Sequence, residues 1–71
     1  MDAIRHFEQK IREFPRNPLS HINLAALLRE QGQLERAAKH YKIACILQPM
    51  RATVHNDLAV VYIELNKLDE A

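Results

Sequence analysis

Four histidines, His6, His21, His40 and His55, and one cysteine, Cys45, are the side chains of this sequence best equipped for metal ligation or nucleophilic attack. Their spacing argues against both roles. His40 follows His6 by 40 − 6 = 34 residues, and His55 follows His21 by 55 − 21 = 34, so each pair is one position used twice. If that interval is structural, equivalent atoms stand a helix-packing distance of about 8–10 Å apart, whereas ligands about 2.0–2.1 Å from one zinc ion nearly touch. His21 and His55 are therefore expected at helix contacts, with a ring nitrogen reaching backbone or water. His6 and His40 are expected on a solvated helix edge. Cys45 shares an apolar helical stripe with Tyr41 and is read as a small buried hydrophobe. A reactive thiol needs exposure and a nearby cation, and Lys42 should point elsewhere. Glu8 with Arg12 and Glu35 with Lys39 stand four residues apart, the spacing of ion pairs that support a helix by a few tenths of a kcal/mol. There is no Gly-rich phosphate loop, no His-Glu-x-x-His and no nucleophile elbow. The expectation is a protein that is not an enzyme and uses no metal or cofactor.

The elements that hold these residues come from a short, nearly neutral chain. Ten Lys+Arg stand against nine Asp+Glu in 71 residues, a formal charge of +1 that favours no nucleic-acid partner. A chain of this size buries only about 60% of its unfolded surface, so its stability is marginal unless neighbours contribute. One cysteine forms no internal disulfide, and a reducing, cytoplasmic setting is the expectation. The start, with Asp2, Arg5 and His6, does not read as a signal peptide. The longest apolar run, Leu58 to Ile63, is far below the roughly 20 residues that cross a bilayer, so no membrane insertion is expected.

The 34-residue interval governs more than the histidines. Ala3, Ala37 and Ala71 keep it, and so do Phe7 with Tyr41, Ile11 with Cys45, Pro15 with Pro49, Leu24 with Leu58, Ala25 with Ala59, Leu28 with Tyr62 and Leu34 with Leu68. Helical periodicity is an independent signal: Ala3, Phe7, Ile11 and Phe14 recur at steps of three and four and predict a helix over about 2–14. Asn17 and Pro18 supply a cap and a preset first turn for a second helix carrying Leu24, Leu27 and Leu28, ended by Gly32. A third helix runs to Pro49, and a fourth over about 52–65 ends at Asn66, the counterpart of Gly32.

These residues resemble the tetratricopeptide repeat. His21, Leu24, Ala25, Leu28, Gly32, Ala37, Tyr41, Ala44 and Pro49 make one full unit, with an outer-helix half before it and an inner-helix half after it. The resemblance implies an all-α fold of antiparallel helix-turn-helix repeats, a short right-handed α-solenoid of about four helices. Residues 1–71 then form a single unit, divided into a half repeat at 1–17, a full repeat at 18–51 and a half repeat at 52–71. His in place of the usual large aromatic, Lys10 where Ala44 stands one unit later, and Leu28 in place of an aromatic depart from the pattern.

The function implied is a protein-protein interaction scaffold, in which the inner helices line a groove for a peptide or a partner's helix. By resemblance the groove positions are Leu19, Ile22, Asn23, Ala26 and Arg29, then Thr53, Asn56, Asp57, Val60 and Glu64. Asn23 is the foremost, since its amide offers a peptide backbone both donor and acceptor. The carboxylate clamp by which one subfamily holds acidic chaperone C-termini is missing: no cation precedes Arg29 on the second helix, none lies between Ala52 and Asn66, and Asp57 repels a carboxylate. Both ends read as unfinished, which suggests a fragment of a longer array. The alternative is a self-associating element that forms a dimer or open stack through Phe7, Ile11, Leu58, Val61, Tyr62, Leu65 and Leu68.

Overall fold

The computed structural model describes residues 2–70, and side chains as far as Lys67. Four helices follow one another: α1 (Ala3–Glu13), α2 (Pro18–Glu30), α3 (Leu34–Leu47) and α4 (Ala52–Glu70). Each packs on the next, α1 on α2, α2 on α3 and α3 on α4, so every inner helix with a successor meets one running the other way. The Cα trace extends 38 × 32 × 14 Å, the flattened outline of tiles laid side by side.

Local chemistry accounts for each boundary. The Asp2 carboxylate accepts from the Ile4 N–H at 3.0 Å and the Asn17 side chain from the Leu19 N–H at 3.1 Å, satisfying donors left orphaned at helix starts. Pro18 occupies the first turn of α2, where its missing N–H costs nothing. At the other end of α2, Gly32 takes a left-handed φ of 78°. The Gly32 N–H then bonds the Arg29 carbonyl at 3.0 Å and the Gln33 N–H the Leu28 carbonyl at 2.9 Å, the paired bonds of a Schellman motif. α3 starts without a side-chain cap; the Gln33 carbonyl still accepts from the Ala37 N–H at 3.0 Å.

The 34-residue interval survives at atomic detail. α1 ends at Phe14 with φ −134° and ψ 71°, and α3 ends at Gln48 with φ −133° and ψ 74°. Each precedes a proline, whose ring excludes the helical region for its predecessor. The turns that follow close alike, Asn17 N–H to the Phe14 carbonyl at 3.0 Å and Arg51 N–H to the Gln48 carbonyl at 3.1 Å. One backbone path is therefore used twice.

The core is one cluster: Leu24, Ala25, Leu28, Leu34, Ala37, Ala38, Tyr41, Ala44, Cys45, Val54 and Val61, with Ile4, Phe7, Ile11, Ile22, Leu58 and Leu65 packed at its edge. Ala25, Ala37 and Ala44 are fully buried. Small residues at those positions let the α2 and α3 backbones approach closely, while Leu24 and Tyr41 fill the neighbouring space.

Three sequence expectations are corrected. The fourth helix does not end at Asn66 but continues to Glu70. No non-glycine residue described has a positive φ; for Asn, unlike glycine, the left-handed state is uphill, and Asn66 keeps the helical conformation. Among the described residues the ion pairs cross between helices instead of running along them: Arg36 meets Glu8 at 3.2 Å and Arg29 meets Glu64 at 2.7 Å. Arg36 also donates to Gln33 Oε1 at 2.7 Å, which places it where a carboxylate of α1 is in reach. His40, finally, is not a solvated edge residue but a partner of His21.

Candidate functional site

The positions expected to line a groove on α2 and α4 divide by exposure. Leu19, Asn23, Ala26 and Arg29 of α2 and Thr53, Asn56 and Val60 of α4 are exposed, while Ile22, Asp57 and Glu64 are half-buried. None belongs to the buried core, although Leu24, Ala25 and Leu28 of α2 and Val54 and Val61 of α4 do. The two helices are joined by Arg29, whose Nε donates to Glu64 Oε1 at 2.7 Å. That hydrogen bond, then the carboxylate's charge, holds the Arg29 guanidinium above its already high pKa.

Beside this bridge lies an open cleft of about 320 Å³ lined by Ala26, Arg29, Glu30, Tyr41 and Glu64. Tyr41, from α3, is its floor. Burial first and the Asp57 charge second push its phenol up, with Arg29 opposing, so the hydroxyl stays protonated and able to donate. Sequence reasoning did not place Tyr41 or Glu30 at this site. Tyr41 reads as a core aromatic in the repeat register, and only packing shows its edge reaching the cleft between successive inner helices.

The histidines have roles that the repeat explains in part. His21 Nε2 lies 3.0 Å from the Pro15 carbonyl, and its counterpart His55 lies 2.8 Å from the Pro49 carbonyl. A carbonyl only accepts, so both rings carry a hydrogen on Nε2 and tie their helix to the preceding turn. His21 is 3% exposed and its Nδ1 stands 3.1 Å from His40 Nδ1, with ring centroids 5.3 Å apart. His6 remains exposed, edge-on to Phe7 at 5.1 Å. Cys45 is buried, and burial pushes its thiol above the ordinary value.

The terminal surfaces differ from one another. Phe7 and Ile11 of α1 are half-buried against the core, and the exposed part of α1 carries Arg5, His6, Gln9, Lys10 and Glu13. α4 presents apolar side chains instead. Residues of α2 covered by α3 have exposed counterparts 34 positions later: Ala25 is fully buried and Ala59 exposed, Leu28 is 0% exposed and Tyr62 48%, and Leu24 is fully buried where Leu58 is only partly so. Val61, expected on this free face, instead belongs to the core at 0% exposure, because it points toward α3. The side chain of Leu68, and Ala71, lie outside the described residues.

A 34-residue register of antiparallel helix pairs, with small residues at the contacts, defines an α-helical repeat scaffold. Residues 25–66 match the family model for the TPR repeat, more than half of the chain, and the chain belongs to that family. Repeats of this family generally mediate protein-protein interaction and form a non-catalytic scaffold class. The search of curated proteins found no match to the chain. Among the described residues no helix is long and apolar enough to cross a membrane.

Proposed function

We propose that this chain is a protein-binding module, not an enzyme, and that it takes an extended peptide or a partner's helix along the side shared by α2 and α4. The supporting observation is the bridge from Arg29 to Glu64 over the Tyr41 cleft, which ties two successive inner helices into one surface. Exposed along it are Asn23 and Asn56, whose amides offer donors and acceptors to a peptide backbone, and Leu19, Ala26 and Val60, which offer apolar contact. Asp57 leaves the α4 side slightly acidic, Glu64 being neutralised by Arg29, so a ligand with a basic or neutral segment fits better than an acidic tail. The division into half repeats at 1–17 and 52–71 around a full repeat at 18–51 is part of the same proposal.

The test is capture from a peptide library by the native chain and by Asn23→Ala, with Lys42→Ala, an exposed position of α3, as control. Reduced capture by the Asn23 variant alone supports the groove. Equal capture by all three places binding elsewhere.

The free face of α4 supports a second reading, self-association. Its register counterpart on α2 is covered by α3, so the occupant that fits is a helix carrying α3's pattern of Ala37, Tyr41 and Ala44. α1 matches this less well, because Lys10 replaces the fully buried Ala44. Sedimentation across a concentration series tests the reading: a dimer lost in Tyr62→Glu supports it, and a monomer throughout removes it.

A further inference from the structure

We propose that the paired rings of His21 and His40 form a proton-sensitive latch that holds α2, α3 and the turn before α2 together near neutral pH and releases when both rings are charged. The hydrogen-bond geometry dictates the sequence of events. His21 spends its Nε2 hydrogen on the Pro15 carbonyl at 3.0 Å, so in the neutral ring Nδ1 is an acceptor. His40 then donates its own Nδ1 hydrogen across the 3.1 Å gap, leaving its Nε2 unprotonated. A first proton enters at that free nitrogen without breaking anything, because a charged His40 still donates from Nδ1. A second proton has only His21 Nδ1 left to occupy. Two N–H groups then face each other at 3.1 Å, each on a cationic ring, and one ring must leave. His40, the half-buried member, is the one that swings out, since His21 is 3% exposed and fixed to the turn.

The surroundings reinforce this. Facing His40 are His21 from α2, Arg36 and Lys39 from its own helix, and Glu8 from α1. Burial lowers the His40 pKa most; a charge on His21 lowers it next, so the two rings resist being charged together, Arg36 and Lys39 add to this, and Glu8, already paired with Arg36, opposes them. A folded value below the unfolded one means the unfolded chain binds the proton more tightly. The stabilising effect is therefore complete above the unfolded value of about 6.5 and is lost as pH falls below it and through the lowered folded value.

An internal comparison comes with the repeat. His55 makes the same Nε2 bond to its own turn, at 2.8 Å to Pro49, but it is exposed and has no second ring among the described residues. Its Nδ1 takes up a proton without loss of that bond. His55 thus keeps the tether without the second ring and serves as the internal comparison.

The experiment is a pH titration of the whole chain by NMR, following ring nitrogen and carbon shifts of the histidines, beside urea denaturation of the native chain and His40→Gln between pH 7.5 and 5. The expected result is a single midpoint for His55, two separated and coupled steps for His21 and His40, and opposite tautomers on those two rings at pH 7.5. The folding equilibrium constant of the native chain is expected to fall severalfold further than that of His40→Gln as pH drops from 7.5 to 5. Independent, His55-like midpoints for both rings overturn the latch, as does parallel loss of stability in the two proteins. The shift titration needs no variant, so it decides the matter even if His40→Gln folds poorly.

Discussion

Leu24 and Leu58 are the same residue in the same register, 34 positions apart, and differ in what covers them. Truncating each to alanine isolates that difference. Leu24 is 0% exposed between α2 and α3, where removing the side chain forfeits its transfer energy and leaves a cavity, about 2–5 kcal/mol. Leu58 is only partly buried, so water enters and no cavity persists; half of a leucine's burial energy is about 1 kcal/mol. The expected gap is about 1–4 kcal/mol, a large share of the stability of a small domain. Urea denaturation followed by circular dichroism measures it, with an excluded osmolyte added to give Leu24→Ala a folded baseline. Repeating the measurement at rising protein concentration extends the result: if a second copy covers α4, the Leu58→Ala penalty climbs toward that of Leu24→Ala. Equal penalties at a concentration where sedimentation shows a monomer would refute the claim that α4 has a free face.

Two further outcomes follow from single residues. Gly32→Ala is expected to cost about 1–2 kcal/mol, read as a lowered urea midpoint; a Cβ there meets nothing within 4 Å, so the penalty is purely that of holding alanine at φ 78°. Cys45 is expected to react with a thiol reagent much more slowly in native buffer than in urea, because burial both hides the sulfur and raises its pKa; equal rates at neutral pH would show that the stripe around Tyr41 is open.

Much of this molecule was legible before any coordinates. The repeat interval, three of the four helix ends, the caps at Asn17 and Gly32, and the burial of Ala37, Tyr41, Ala44 and Cys45 follow from spacing and residue type, because each depends on contacts within a turn or on one helix face. The reading failed wherever two helices had to be set side by side. Glu8 and Arg12 are ideally spaced for a pair along α1, yet Glu8 faces Arg36, since packing α1 on α2 brings the start of α3 within reach. His40 shares its register with exposed His6, yet His40 meets His21 of α2 while His6 lies edge-on to Phe7 of its own helix. Asn66 matches Gly32 in position, yet the helix runs through it.

Sequence alone determined the tile: which residues are helical, which face is apolar, and how often the unit recurs, all of them consequences of local backbone preference and periodicity. The tertiary structure decided what each copy of the tile touches. Neighbours are supplied by docking, and two identical positions become different environments when one has a helix laid over it and the other does not. That is why His21 is a buried latch and His55 an exposed tether, and why Leu28 is core while Tyr62 is surface.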